Sequence, residues 1–318
     1  MLDRILTGIF LIIVIGAGGF YLLTMPQRLD AATLADVPAG DAAKGERIFW
    51  AGGCASCHAP PKSEGDDRLK LGGGAPLETD FGTFHAPNIS PDPDAGMGRW
   101  TFDDFANAMQ RGVDPAGRHL YPAFPYTSYV NLRLSDVADL WAFLQRLPAV
   151  AERAPPNDLA FPYNLRRGIG LWKLAFLDKG GPVVDLPPDA PAAAHEGQYL
   201  VEGPGHCGQC HTPRSLGGAG GMKGVRWLAG APNPEGEGRV PNITPSTSGI
   251  GNWSASDIVY YLESGFTPDF DTVGGAMVEV QKNIARLPED DREAIAAYLK
   301  AIPSVDSASA PTAGSTSE

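Results

Sequence analysis

Two five-residue stretches hold every cysteine in the chain: Cys54-Ala55-Ser56-Cys57-His58 and Cys207-Gly208-Gln209-Cys210-His211. Each reads C-x-x-C-H, the attachment pattern of a c-type haem. Two thiols at this spacing can form thioethers to the two vinyl groups of one porphyrin. The adjacent histidine then supplies a nitrogen ligand to the iron. A dithiol redox pair needs no such histidine. A zinc site made from two C-x-x-C pairs expects them about 15–20 residues apart. Here the separation is 207 − 57 = 150 positions. The pattern predicts two covalently attached c-type haems, with Cys54, Cys57, Cys207 and Cys210 as attachment points and His58 and His211 as proximal ligands.

The two stretches belong to an internal repeat. The haem histidines differ by 211 − 58 = 153 positions, and the pairs Trp253/Trp100 and Gly265/Gly112 have the same offset. One offset held over this span means two copies of one domain, each wrapping one haem. The repeat also locates the sixth iron ligand, for which methionine sulfur is the common choice. In the second copy Met277 follows Gly274-Gly275-Ala276 and precedes the last helix, and Met222 is its rival. The matching position in the first copy, 277 − 153 = 124, is Phe124, which cannot ligate iron. His119, Met109 and Met97 remain, or an open site; His119, on the same loop, is the expected ligand. The metal ligands are thus His58, His211, Met277 and His119. A bis-histidine first haem lies lower in potential than a His/Met second haem, so electrons are expected to run from the first to the second.

The remaining histidines read as bland: His206 as an exposed loop residue, His85 as a loop residue beside the Asn88 turn, His195 as a surface residue. Arg99 and Arg118 are solvated cations that could pair with propionates.

Helices must position these groups. Asp41 caps a helix running to Phe49 and into the first motif. Apolar residues at helical spacing predict helices at 100–111 and 135–147, the second with Val137, Leu140, Trp141 and Leu144 on one face. The second copy repeats the plan at 196–201, 254–263 and 288–300. Residues 62–80 read as a polar, glycine-rich surface loop. Gly 39 and Pro 29 predict many turns between few helices.

The organisation that follows is a membrane anchor over 1–28, a linker over 29–40 and a first domain over 41–154. A proline-rich connector over 155–191, a second domain over 192–303 and a disordered tail over 304–318 complete it. Within the connector, 166–177 is expected to be a helix packed between the domains; contact with a membrane surface is the alternative.

Across 318 residues, 43% hydrophobic and 19% charged content suits globular domains. A net charge of −12 argues against a nucleic-acid partner and suits a soluble partner with a basic docking face. Ile5 to Thr24 is a 20-residue uncharged run, long enough to cross a bilayer. A retained anchor is expected over a cleaved signal, because the run is long and no A-x-A-like site follows it closely. In bacteria c-type haems are attached outside the cytoplasmic membrane, so the haem domains are expected on the periplasmic side.

The segments PNISPDPDAGMGRW, Leu120-Tyr121-Pro122-Ala123-Phe124-Pro125-Tyr126, PNITPSTSGIGNW and GGAMVEVQKNIARLPEDDREAIAAYL, taken with the two C-x-x-C-H motifs, carry a resemblance. Over Gly45 to Pro303 the chain resembles the membrane-associated multihaem cytochromes c that accept electrons from periplasmic alcohol, aldehyde and sugar-acid dehydrogenases. The resemblance implies a mainly α fold of two tandem class I cytochrome c-like domains, beside the N-terminal transmembrane helix. It also implies a dehydrogenase or quinol-oxidising complex as donor and a small cytochrome or oxidase as acceptor. Many such subunits carry three haems and a methionine in the tyrosine-proline motif, where this chain has two and Phe124. The competing function is a catalytic dihaem enzyme of peroxidase or thiosulfate-oxidising type, acting at the atypical first haem. Against it, no extra cysteine ligand and no acid–base pair lies near that motif.

Overall fold

The computed structural model describes residues 1–177, 180–222, 224–233 and 238–307. Leu2–Leu23 forms one helix, α1, with a mean hydropathy of 2.3 and no buried residue. Its 22 residues span about 33 Å, enough for the hydrocarbon core of a bilayer. A short turn, α2 (Ala31–Ala35), capped by Asp30, leads into the first haem domain.

In the first copy the helices are α3 (Ala42–Ala51), α4 (Cys54–His58), α5 (Phe102–Arg111), α6 (Tyr126–Tyr129) and α7 (Leu134–Leu144). Asp41 caps α3 as expected, its side chain accepting from the Ala43 amide at 2.9 Å. Thr101 and Asp104 close a capping box at the start of α5. The second copy repeats the order with α9 (Ala192–Glu202), α10 (Gly208–His211), α11 (Ala255–Ser264), α12 (Met277–Ile284) and α13 (Glu289–Ala301). Ser254 and Asp257 form the matching capping box of α11.

In each copy the first helix crosses the last. Val137, Leu140 and Leu144 of α7 pack with Ile48 and Phe49 of α3 in one apolar core. Leu200 and Val201 of α9 pack with Ile295, Tyr298 and Leu299 of α13. Trp141, expected on the α7 core face, is only half-buried and stacks near Phe105. A glycine sits at each crossing. A Cβ on Gly45 would enter the Asp139 carbonyl, and one on Gly197 the Ala294 carbonyl. The helices approach this closely only because neither residue has a side chain.

The connector supplies β3 (Asp158–Leu159), which joins β1 (Pro76–Thr79) and β2 (Gly82–His85) in an antiparallel sheet of order β1-β2-β3. A second small pair joins β4 (Ala231–Pro232) to β5 (Arg239–Val240). The expected 62–80 surface loop thus differs from the structure. It contains a strand, Leu71 is fully buried, and Arg68 is turned inward to meet the second copy. The helix expected in the connector is α8 (Ile169–Phe176), and it packs between the copies. Trp172 Nε1 donates to the Ala219 carbonyl at 2.7 Å, and Lys173 Nζ to the carbonyls of Arg111 and Gly112, each at 2.6 Å. Of the tail expected over 304–318, residues 304–307 lie against the second copy, with the Val305 carbonyl accepting from Asn242. The rest lies outside the described residues.

Ion pairs and hydrogen bonds join the two copies. Arg47 of α3 donates to Asp291 at 2.7 Å and to Glu196 at 2.8 Å. Buried Arg68 donates to Glu279 at 2.6 Å and to Asn283 at 2.9 Å. Tyr199 donates to Asp136, and the Arg133 guanidinium lies 4.0 Å from the Tyr199 ring centroid.

Candidate haem sites

Each C-x-x-C-H motif forms a short helix, entered through Gly53 in the first copy and through His206, at φ 39°, in the second. Gly53 adopts φ 59°, a left-handed conformation that turns the chain from α3 into α4. Gly208 lies under the Trp227 ring, where a Cβ would overlap the indole. Trp227 is held in turn by a buried chain of donors: its Nε1 donates to Tyr298 Oη at 3.0 Å, and Tyr298 donates to Glu202 at 2.5 Å. Glu202 also accepts from the Val183 amide and from Gln198, so this buried carboxylate is well satisfied. The second motif is therefore backed by an anchored indole.

The histidines of the two motifs are braced alike. His58 Nδ1 lies 2.8 Å from the Pro87 carbonyl, and His211 Nδ1 lies 2.8 Å from the Pro241 carbonyl. A carbonyl can only accept, so Nδ1 carries the proton and the Nε2 lone pair is left for a metal. Burial holds both imidazoles below the usual histidine range, which keeps them neutral. The two prolines belong to the repeated P-N-I segments. Asn88 donates to the carbonyls of Val150 at 2.7 Å and Glu152 at 2.8 Å, and its Oδ1 accepts from the Ser90 amide. Asn242 donates to the Val305 carbonyl at 2.7 Å and accepts from the Thr244 amide. Each asparagine ties the proline loop to the chain just beyond its own domain's last helix. Sequence reasoning used these segments as a repeat marker and missed this bracing. The signal was the same P-N-I before each tryptophan.

Cys54 and Cys207 are half-buried, Cys57 and Cys210 exposed, and none of the four is in a disulfide. Burial, with the neighbouring cysteine adding to it, pushes the Cys54 and Cys207 thiols up to about 12. A dithiol oxidoreductase instead holds its nucleophilic thiol low. Two unbridged thiols and a neutral histidine with a free Nε2, present twice, form a donor set that fits a covalently attached haem at each motif.

The far sides of the two sites differ. Met277 opens α12, half-buried, whereas its rival Met222 packs against the apolar core. Phe124 packs against Tyr129, with ring centroids 5.5 Å apart. Met97 and Met109 are both buried, and Met109 lines a small cavity together with Cys54 and Tyr129. His119 is buried at the end of α1, its Nε2 2.8 Å from the Thr24 carbonyl. That carbonyl accepts, so the unpartnered Nδ1 holds the free lone pair.

The other residues singled out in the sequence lie elsewhere. His206, expected as an exposed loop residue, is half-buried between the motifs, with Nε2 3.3 Å from the Gly52 carbonyl; the other copy covers it. His85 Nδ1 meets the Pro156 carbonyl at 3.0 Å, in the small sheet. His195 is exposed. Arg99 pairs with Asp94 at the surface, and exposed Arg118 with buried Asp114.

The motifs also touch the opposite copy reciprocally. Asn283, on α12, donates to Ser56 Oγ at 2.6 Å. Gln209, at the same motif position as Ser56, donates to Thr127 and Ser128 of α6 at 2.9 and 2.8 Å. Each attachment helix is thus held by the helix that follows the other copy's distal position.

The family profile described as Cytochrome c matches residues 42–148 and 194–303. A diheme cytochrome c-type protein of Cereibacter sphaeroides is 52% identical over 299 residues, 94% of this chain and 98% of that protein. The cytochrome c subunit of the quinone alcohol dehydrogenase of Gluconobacter oxydans is 34% identical over 268 residues, 82% of this chain and 55% of the subunit. The cytochrome c subunit of the gluconate 2-dehydrogenase of Pantoea cypripedii is 34% identical over 291 residues, 87% of this chain and 64% of the subunit. The chain thus spans nearly the whole of the diheme protein and less than two thirds of either dehydrogenase subunit.

Proposed function

Because the chain belongs to the cytochrome c family, we propose that it is a membrane-anchored dihaem electron-transfer protein. Its haem domains, 41–154 and 192–303, stand on the periplasmic side of the bacterial cytoplasmic membrane. Two c-type haems supply one-electron chemistry when bound. Cys54, Cys57, Cys207 and Cys210 attach them, and His58 and His211 are the proximal ligands. The observation that carries this reading is the repeated histidine brace: both Nδ1 atoms are spent on proline carbonyls, so both Nε2 atoms are left for iron.

Met277 is the sixth ligand of the second iron. For the first iron the ligand is His119, through the ring nitrogen that has no protein partner. Met109 is the second reading, favoured by its position beside Cys54 at the small cavity. The donor is a periplasmic dehydrogenase or a quinol-oxidising complex, in line with relatives named as cytochrome subunits of alcohol, fructose and gluconate dehydrogenases. The acceptor is a small cytochrome or an oxidase.

Magnetic and absorption spectra of the full chain, wild type beside Met277→Ala, His119→Ala and Met109→Leu, test the assignment. Two low-spin haems that ignore carbon monoxide are expected. Met277→Ala turns one haem high-spin, and His119→Ala the other. A low-spin first haem in His119→Ala that is lost in Met109→Leu transfers the role to the methionine. A wild-type first haem that is high-spin, binds carbon monoxide and consumes peroxide overturns pure electron transfer in favour of the catalytic dihaem enzyme.

A further inference from the structure

The loop between the helix after each haem and the distal position has the same backbone in both copies. In the first, Val113 bridges His119, and the Leu120 amide donates to the Gly112 carbonyl at 2.7 Å. In the second, Phe266 bridges Thr272, and the Val273 amide donates to the Gly265 carbonyl at 2.7 Å. The tips match as well: Gly117 donates to the Asp114 carbonyl at 2.9 Å and Phe270 to the Thr267 carbonyl at 3.0 Å. At this matched position the first copy has a glycine at φ 76° and the second a phenylalanine at φ 62°. Glycine takes that conformation freely; a bulky aromatic takes it only under strain. Phe270 gains no burial in return, being 92% exposed.

The surroundings of the two loops are opposite. The chain's own N-terminal segment covers the first. Arg28 donates to the Asp114 and Pro115 carbonyls, each at 3.1 Å, the Leu29 amide donates to Asn107, and Thr24 sits on His119. At the positions matching Asn107 and Val113, the second copy has Tyr260, 56% exposed, and Phe266, 45% exposed. With Phe270 and Pro268 these two residues line an open groove of about 390 Å³. Charge inverts too: Arg118 of the first loop corresponds to Asp271 of the second; Asp257 lines the groove, and exposed Asp269 and Asp271 flank Phe270 in the chain.

We propose that the Tyr260–Phe266–Phe270 face of the second domain is the docking surface for a small, lysine-ringed redox protein. That partner fits because it would set an apolar centre on the aromatic groove and cations on the aspartates. A strained, exposed aromatic in place of a glycine is what an interface anchor requires and what a solvated loop does not. The face ends seven residues before Met277 in the chain (277 − 270), which puts the partner beside the second haem's distal loop. The inference rests on the electron-transfer reading above for its purpose and on the two loops for its location.

The test uses the full chain in detergent with a lysine-rich mitochondrial cytochrome c as probe. Calorimetry reads the binding, and stopped-flow absorbance reads the electron exchange. Phe270→Gly restores the first copy's residue, so its thermal midpoint is expected to hold or rise while the dissociation constant and the exchange rate worsen about tenfold. Asp271→Arg is expected to weaken binding and flatten its dependence on salt. Reduction of both haems by dithionite stays unchanged in both variants. Unchanged affinity in both variants overturns the proposal, as does failure of the wild type to bind the probe. So does a wild-type dimer that Phe270→Gly dissociates, since the face would then belong to a second copy. Binding that the variants weaken, without electron exchange in the wild type, upholds the surface and sinks the electron-transfer reading instead.

Discussion

The two C-x-x-C-H motifs were legible because their chemistry is local: two thiols and an imidazole within five positions. What braces them was not legible. The partners of His58 and His211 lie about thirty residues further on, and their geometry depends on a loop whose shape Asn88 and Asn242 hold from elsewhere. His206 was misread for a related reason, since exposure depends on what another domain covers. One half-buried amine gives a test at this scale. Burial lowers the Lys173 amine to about 7, from an ordinary value of 10.5. Between those values the folded chain binds fewer protons than the unfolded chain, so folding is favoured as pH rises. Below about 7 both states are charged and the charged amine is held in a poorly solvated place. The thermal midpoint of wild type relative to Lys173→Met is expected to climb from pH 7 to 10. A difference that stays constant across that range would falsify the buried-amine account.

The longer helices of each copy were legible from their period and caps, and the structure moves their ends by only a few residues; α6 and α12, short and flanked by turns, were not expected. The strands were not, because two- to four-residue segments such as Asp158–Leu159 carry no pattern of their own and form only where a distant neighbour lies alongside. The helix crossings were missed as well: Gly45 and Gly197 are one each among many glycines, and only the packing singles them out. Gly197→Ala would push α9 away from the Ala294 carbonyl and open the core around Leu200 and Tyr298. A loss of about 3 kcal/mol or more is expected, read as a lower thermal midpoint and poor recovery of the second haem. Ala substitution at the fully open Gly117 would cost far less overlap, so it serves as a strain-only comparison.

For the whole molecule, the repeat made two domains legible and left their mutual pose unread, because pairs such as Arg47–Asp291 join residues 244 positions apart. Arg47 holds Asp291 and Glu196 together, and the hydrogen bond to Asp291 is the main cause of its raised pKa. Arg47→Ala is expected to cost about 1–2 kcal/mol after allowance for its partial exposure. It should loosen the two domains first, seen as a split thermal transition or as faster amide exchange around both Glu196 and Asp291. A single unshifted transition would show that the apolar contacts alone set the pose. The proline brace also has a consequence in time. The first histidine is tied by residues 150–152 and the second by residue 305. A chain made from its N-terminus onward can therefore set its first histidine once residue 152 has been added, while the second waits for residue 305. Folding has a built-in order, and a chain cut short before Val305 would hold its first motif histidine braced and leave its second free to swing.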